Sequence, residues 1–401
     1  MKHISLPVIL LALLFASQAR AGEVNPNDAA MKAAIGKLGK SIFLVDKTEA
    51  AAGELVSLGQ NALPYLLKKL DSASEIEAAL AASAIGKLGD KSTFEKLKKV
   101  LTESDSVAVR LFSVRALAEL GDARAVPVLI KRLDDEKSKR VYRFVCHALG
   151  DLKSDDAVTP LSKALDSGED AAATALGKIG NKAALPALGR ALKAKSEWIS
   201  LVSARAIATF QTQEAHDMLI AAVRGENWNA ARSASIVLGE KKDRTAIEAI
   251  SSAVRKSSSI DVRVAAVQAL GKIAYPAGEA AILAALEKDK SAKVRAMAAW
   301  SLGELGLSNS IENLVSALSD GSPMVREAAR VALAGKFPTS SVSALTEAYK
   351  SDDTATRLEV TRTLAQIATR EAKKALEPAL KDTDPAIRKI AENALSTKES
   401  K

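Results

Sequence analysis

Read for its apolar positions, the chain repeats itself. An aliphatic residue followed directly by a small one recurs as Ile85-Gly86, Leu117-Ala118, Leu149-Gly150, Leu176-Gly177, Ile207-Ala208, Leu238-Gly239, Leu270-Gly271, Leu302-Gly303, Leu333-Ala334, Leu364-Ala365 and Leu395-Ser396. Successive pairs lie 31 or 32 residues apart, with one exception of 27 between Gly150 and Gly177. A fixed period in this range predicts a stacked repeat array. Within a repeat the apolar spacing is helical twice over. Val126, Leu129, Ile130 and Leu133 form one stripe at i, i+3, i+4 and i+7, and the second segment, as in 294–303, is richer in small residues. Small residues let neighbouring helix backbones approach, and the Leu or Ile beside them fills the seam. The pattern predicts an all-α fold, an α-solenoid of about eleven helix pairs over residues 51–396. A capping helical segment at 22–50 precedes it and a polar tail at 397–401 follows.

The turn between paired helices has its own chemistry. Asp289, Asp320 and Asp382 end first helices, and Arg295, Arg326 and Arg388 follow each by six residues. An Asp here can cap the coming helix, and an Arg can bridge to it or to the Asp of the next repeat. Arg110, Arg263 and Arg357 hold the same register, so a structural ladder is expected. In the four repeats between Arg110 and Arg263 the position becomes Tyr142, Glu169, Ser200 and Ala231. The 27-residue spacing falls in that stretch and removes about one helical turn, which predicts altered local geometry and curvature near 150–180.

With these residues in view, the chain resembles the HEAT-repeat family, particularly the short bacterial repeats of bilin-lyase-like proteins. The resemblance rests on Ala62-Leu63-Pro64, Ala125-Val126-Pro127 and Ala184-Leu185-Pro186, and on the turns carrying Val109-Arg110, Val262-Arg263, Val294-Arg295, Val325-Arg326 and Ile387-Arg388. It implies that the Pro-bearing helix is convex and the Val-Arg helix lines a concave groove. Architecture of this kind does not fix an activity.

On the second helix, positions seven and three before the small residue and one after it share a face. This strip supplies the candidate partner-binding residues Arg115, Arg143, His147, Arg205, Arg232, Gln268, Lys272, Trp300 and Arg362. Arg and Trp are the residue types that anchor interfaces.

Composition narrows the function classes. The chain begins with Lys2, an apolar run from Ile4 to Phe15, and Ala19-Arg20-Ala21 before Gly22, the plan of a secretory signal cleaved after Ala21. A periplasmic or secreted location follows, with residues 1–21 as signal peptide and no membrane span in the mature chain. Cleavage lowers the formal charge from +9 to +7, favouring a protein or peptide partner of acidic character. Nucleic acid is not the expected partner.

Cys146 is the sole cysteine, and after cleavage only His147 and His216 remain. No helix-borne pair of histidines can hold a metal, which also argues against the iron hydroxylases built on HEAT repeats, so no metal and no cofactor are expected. Cys146 and His147 are adjacent and diverge on a helix, with Cys146 packed and His147 exposed. Gly39-Lys40-Ser41 resembles the end of a phosphate loop but lacks the first Gly, since position 34 is Ala. The expectation is a non-catalytic binding scaffold. The alternatives are a bilin-lyase-like, chromophore-handling activity implied by the resemblance, and capture of an acidic polymer by a basic groove.

Overall fold

The computed structural model describes residues 26–38 and 45–396. The expected signal segment and its expected cleavage point, Gly39-Lys40-Ser41 and the expected tail 397–401 lie outside them. Every described regular element is helical, and the fold is an all-α solenoid. Helices α1 (Pro26–Leu38) and α2 (Val45–Val56) precede eleven pairs. In order these are α3 (Leu63–Lys69) with α4 (Glu75–Leu88), α5 (Phe94–Glu103) with α6 (Val107–Glu119), α7 (Ala125–Asp135) with α8 (Lys139–Leu152), and α9 (Val158–Asp166) with α10 (Asp170–Ile179). There follow α11 (Leu185–Leu192) with α12 (Glu197–Ile207), α13 (Gln213–Arg224) with α14 (Trp228–Glu240), α15 (Ile247–Lys256) with α16 (Ile260–Ile273), and α17 (Glu279–Lys288) with α18 (Ala292–Leu305). The last three are α19 (Ile311–Ser316) with α20 (Pro323–Lys336), α21 (Val342–Ala348) with α22 (Thr354–Ile367), and α23 (Arg370–Leu376) with α24 (Pro385–Ser396).

The chain forms two compact units, 1–184 and 185–401. In the first, α2 packs on α4, α4 on α6, α6 on α8 and α8 on α10. Tyr65 donates to Asp28 at 2.7 Å, tying α1 to the first pair. In the second, each second helix from α12 to α24 packs on the next.

Both recurrent columns do what their chemistry suggests. The Leu or Ile column is buried in all but its last member, each side chain contributing roughly 1.5–3 kcal/mol over an exposed state. Leu395, in the last described helix, is half-buried. The small column marks where the next helix touches backbone. A Cβ on Gly150 would lie 2.7 Å from the Cα of Ala175, and one on Gly239 2.7 Å from the Cα of Ala269. First helices bury Val126, Leu129 and Leu133, leave Ile130 half-buried and keep Pro64, Pro127 and Pro186 exposed.

The 27-residue spacing shortens one helix. Helix α10 has 10 residues where α8, α16 and α18 have 14. The deletion is taken from its N-terminal turn, so Glu169 caps the helix through the N–H of Ala171.

The ladder exists, and Arg110, Arg263, Arg295 and Arg357 bridge in both of the ways available to them. Arg263 donates to the carboxylate of Asp289 in the next repeat at 2.7 and 3.0 Å, and to the carbonyls of Ser257 and Ser258 in its own turn at 2.9 and 3.2 Å. Arg295 treats Asp320 and the carbonyl of Asp289 alike, as Arg357 treats Asp382 and the carbonyl of Ser351. Arg110 pairs with Glu136, which stands where the other rungs have Asp. Arg388, in the last repeat, holds only the carbonyls of Asp382 and Thr383.

Where the arginine is lost, the turn finds other donors. Ser200 donates to the carbonyl of Leu192 at 2.6 Å. The carbonyls of Ala194 and Lys195, six and five residues before Ser200, accept from Asn229 Nδ2 of the next repeat at 3.0 Å each. Asn229 thus takes over the carbonyl half of what an arginine at position 200 would do.

Candidate partner-binding face

A second helix buries the sides that meet its own first helix and its two neighbours, leaving one strip uncovered. In α18 that strip is Lys293, Met297, Trp300 and Glu304, while Ala296, Ala298, Ala299, Ser301, Leu302 and Gly303 are buried. In α14 it is Trp228, Arg232, Ile236 and Glu240, and in α16 Asp261, Val264, Gln268 and Lys272. The sequence-predicted residues therefore do share a solvent-facing surface within each unit.

Most of their charges are already matched. In the first unit, Arg143 donates to Asp170 at 2.7 Å and Lys178 to Asp151 at 2.6 Å, both between successive second helices. Arg115 pairs with Glu49 of α2 and lies 3.9 Å from Glu119, with its guanidinium over the Phe144 ring. In the second unit, Arg205 meets Glu240 at 2.9 Å, Arg232 meets Glu197 at 3.1 Å, and Arg362 meets Glu359 at 2.9 Å. Arg115, Arg143, Arg205 and Arg232 join different helices and Arg362 pairs within its own, so a partner must compete with a carboxylate for each of them.

His147, expected to be exposed, is half-buried and packs edge-on to Phe144, with ring centroids 6.4 Å apart. Burial, with Lys178 and Arg143 nearby, pushes its pKa down and keeps it neutral near pH 7. Cys146 is fully buried, and burial pushes its thiol up to about 12. Helix geometry had put the two apart, and the structure agrees.

Aromatic and thioether side chains give the face of the second unit its distinct character. The chain contains three tryptophans. All three lie on uncovered second-helix strips of this unit, Trp198 on α12 at 56% exposure, Trp228 on α14 at 44% and Trp300 on α18 at 38%. Met324 and Val331 on α20 and Met297 on α18 extend the apolar surface. The positions chosen from the sequence found Trp300 and missed Trp198 and Trp228. These stand ten and eleven residues before the small column, one more turn toward the N-terminus in the same phase. Following the strip for its full length would have found them.

Among the described residues no helix is long and apolar enough to cross a membrane. The comparisons with known proteins agree on architecture. No curated protein matches the sequence. Among solved structures, Kap121p bound to Pho4p is similar at 13% identity with a TM-score of 0.58, over 92% of this chain and 49% of that one. Kap121p bound to RanGTP is similar at 12% identity with a TM-score of 0.56, over 96% and 50%. The chain spans about half the length of these two relatives, and at such identities the likeness is one of fold. The CpcE and CpcF complex of phycocyanin lyase from Nostoc sp. PCC7120 matches at 21% identity over 61% of this chain and 93% of that one, with a TM-score of 0.35. The family model for HEAT repeats matches residues 63–141, 94–171, 169–236, 216–282, 279–353 and 342–397. Residue pattern, paired helices and family match lead to one conclusion: the chain belongs to the HEAT-repeat family.

Proposed function

We propose that this chain is a non-catalytic scaffold, exported to the periplasm or secreted, that binds a protein or peptide on the second-helix face of residues 185–396. The observation that carries the reading is the placement of Trp198, Trp228 and Trp300, every tryptophan of the chain, exposed on that face. Tryptophan is costly to leave in water and is enriched where partners bind. Met297 and Met324 add flexible apolar contacts suited to peptide surfaces. Kap121p, of similar fold, is seen with the protein Pho4p, which supports a protein partner in kind. Export rests on the N-terminal sequence, and the mature chain would begin at Gly22.

The test is recovery of a partner from envelope extract on immobilised wild-type protein, repeated with Trp198, Trp228 and Trp300 all changed to Ala. The partner should be lost from the variant while the helical signal and melting are kept. Equal recovery on both would remove this face from the account. Mass spectrometry of the chain from its producing cells, finding Met1 retained, would remove export.

A further inference from the structure

One rung of the ladder is defective. Arg295 and Arg357 each present two nitrogens to a carboxylate exactly one step on, 25 residues later at Asp320 and Asp382. The residue 25 positions after Arg326 is Ser351. Ser351 keeps half of the rung's task. Its hydroxyl accepts from the N–H of Asp353 at 3.2 Å, as the Asp320 and Asp382 carboxylates accept from Ser322 and Asp384, and its carbonyl takes Arg357 Nη1 at 3.0 Å. What it lacks is the carboxylate.

Arg326 is left holding its own turn, through the Asp320 carbonyl at 2.8 Å, and a long 3.4 Å contact from Nε to Glu359. Its remaining edge faces an open cavity of about 510 Å³, lined also by Arg330, Arg362, Glu327, Glu359 and Ile390. Arg330 pairs with Glu327 and Gln366, and Arg362 with Glu359. Three guanidinium groups against two carboxylates leave the cavity one positive charge in excess. Arg362 and Glu327 hold on α22 and α20 the strip positions that lie three and seven residues before the small column, the first of which is Trp300's on α18.

We propose that this cavity receives a single carboxylate, carried by an acidic side chain of the bound peptide or protein. The proposal rests on the reading of the second-helix face as the binding face and adds the chemistry of the partner. A guanidinium edge whose one carboxylate contact is long, monodentate and shared with Arg362 is suited to a bidentate partner. One monovalent carboxylate balances the excess charge, whereas a phosphate dianion would leave negative charge beside Glu327 and Glu359.

Calorimetric titration of the full chain tests it, with a short glutamate-rich peptide and inorganic phosphate as separate probes. The peptide should bind and phosphate should bind more weakly. Ser351→Asp should complete the rung, draw Arg326 out of the cavity and weaken the peptide by about tenfold. Ser351→Ala should leave affinity within about twofold. Arg326→Gln removes the donor without adding charge and should weaken the peptide as Ser351→Asp does, which keeps the test decisive if the Asp variant folds poorly. Absence of peptide binding, tighter binding of phosphate, or unchanged affinity in Arg326→Gln would each overturn the assignment. Partner capture that still depends on the three tryptophans would, in that event, leave the binding face standing and remove the cavity alone.

Discussion

Asp320 accepts two hydrogen bonds from Arg295, at 2.7 Å from Nε and 2.9 Å from Nη2, and a third from the N–H of Ser322 at 2.8 Å. One carboxylate thereby closes its own inter-helix turn and fastens the preceding repeat to it. Stability of a repeat array is a sum of such nearest-neighbour couplings.

Cutting this rung should loosen the array locally. Both side chains are mostly buried, so Arg295→Ala strands a carboxylate, at a cost of about 2–4 kcal/mol. Arg295→Lys keeps the charge and loses the fork, and should cost less. Amide hydrogen exchange checks this, with faster exchange expected in α18 to α20 and little change in α12.

The rungs also fix the acid limit of stability. Arg295 holds the Asp320 carboxyl below the usual range against the opposing effect of burial. At Asp289 burial raises the pKa, but the bonds from Arg263 and Ser291 outweigh it and the net shift is down. A native pKa below the unfolded one means that the unfolded chain takes up protons first. The stabilisation is then complete above the unfolded carboxylate range, about pH 4, and is lost as pH falls through the depressed native values. Thermal melting followed by circular dichroism should be insensitive to these groups near neutrality and drop steeply in acid. Arg295→Gln should make the drop shallower.

Asn229 should matter more than a polar residue in an alanine-rich helix would suggest. Asn229→Ala leaves the carbonyls of Ala194 and Lys195 without their donor, costing about 1–3 kcal/mol. Urea unfolding should show a lower midpoint. Trp228→Ala, one residue away and exposed, should shift stability by no more than about 0.5 kcal/mol.

Cys146 should not react in the folded chain. It is buried in α8 and its thiol is pushed up to about 12, first by burial, so the reactive thiolate is scarce at neutral pH. Labelling by a soluble thiol reagent should follow the opening of α8 and accelerate in urea in step with unfolding. Rapid labelling in buffer would contradict this packing.

Much of the fold was legible because its determinants are local and periodic. The Leu-small column gave the eleven pairs, since a close approach such as that of Gly239 to Ala269 tolerates no side chain at all. The partners of the strip were less legible. Arg205 finds Glu240 thirty-five residues away and Arg232 finds Glu197 thirty-five residues back. Either could have been paired on paper with several acids, and the choice depends on how one helix is rotated against the next. The lost arginines were visible as irregularities, but Asn229 as their replacement was not, because it comes from the following repeat. Glu136 was missed because it plays an Asp's part with a longer side chain.

Site-specific photocrosslinking tests the central claim most directly. A crosslinking amino acid is placed at Trp228 on the second-helix face or at Glu248, exposed on first helix α15 of the same unit. After irradiation in the producing cells, the account predicts a discrete crosslinked partner from position 228 and none from 248. A partner captured from 248 and not from 228 would contradict it.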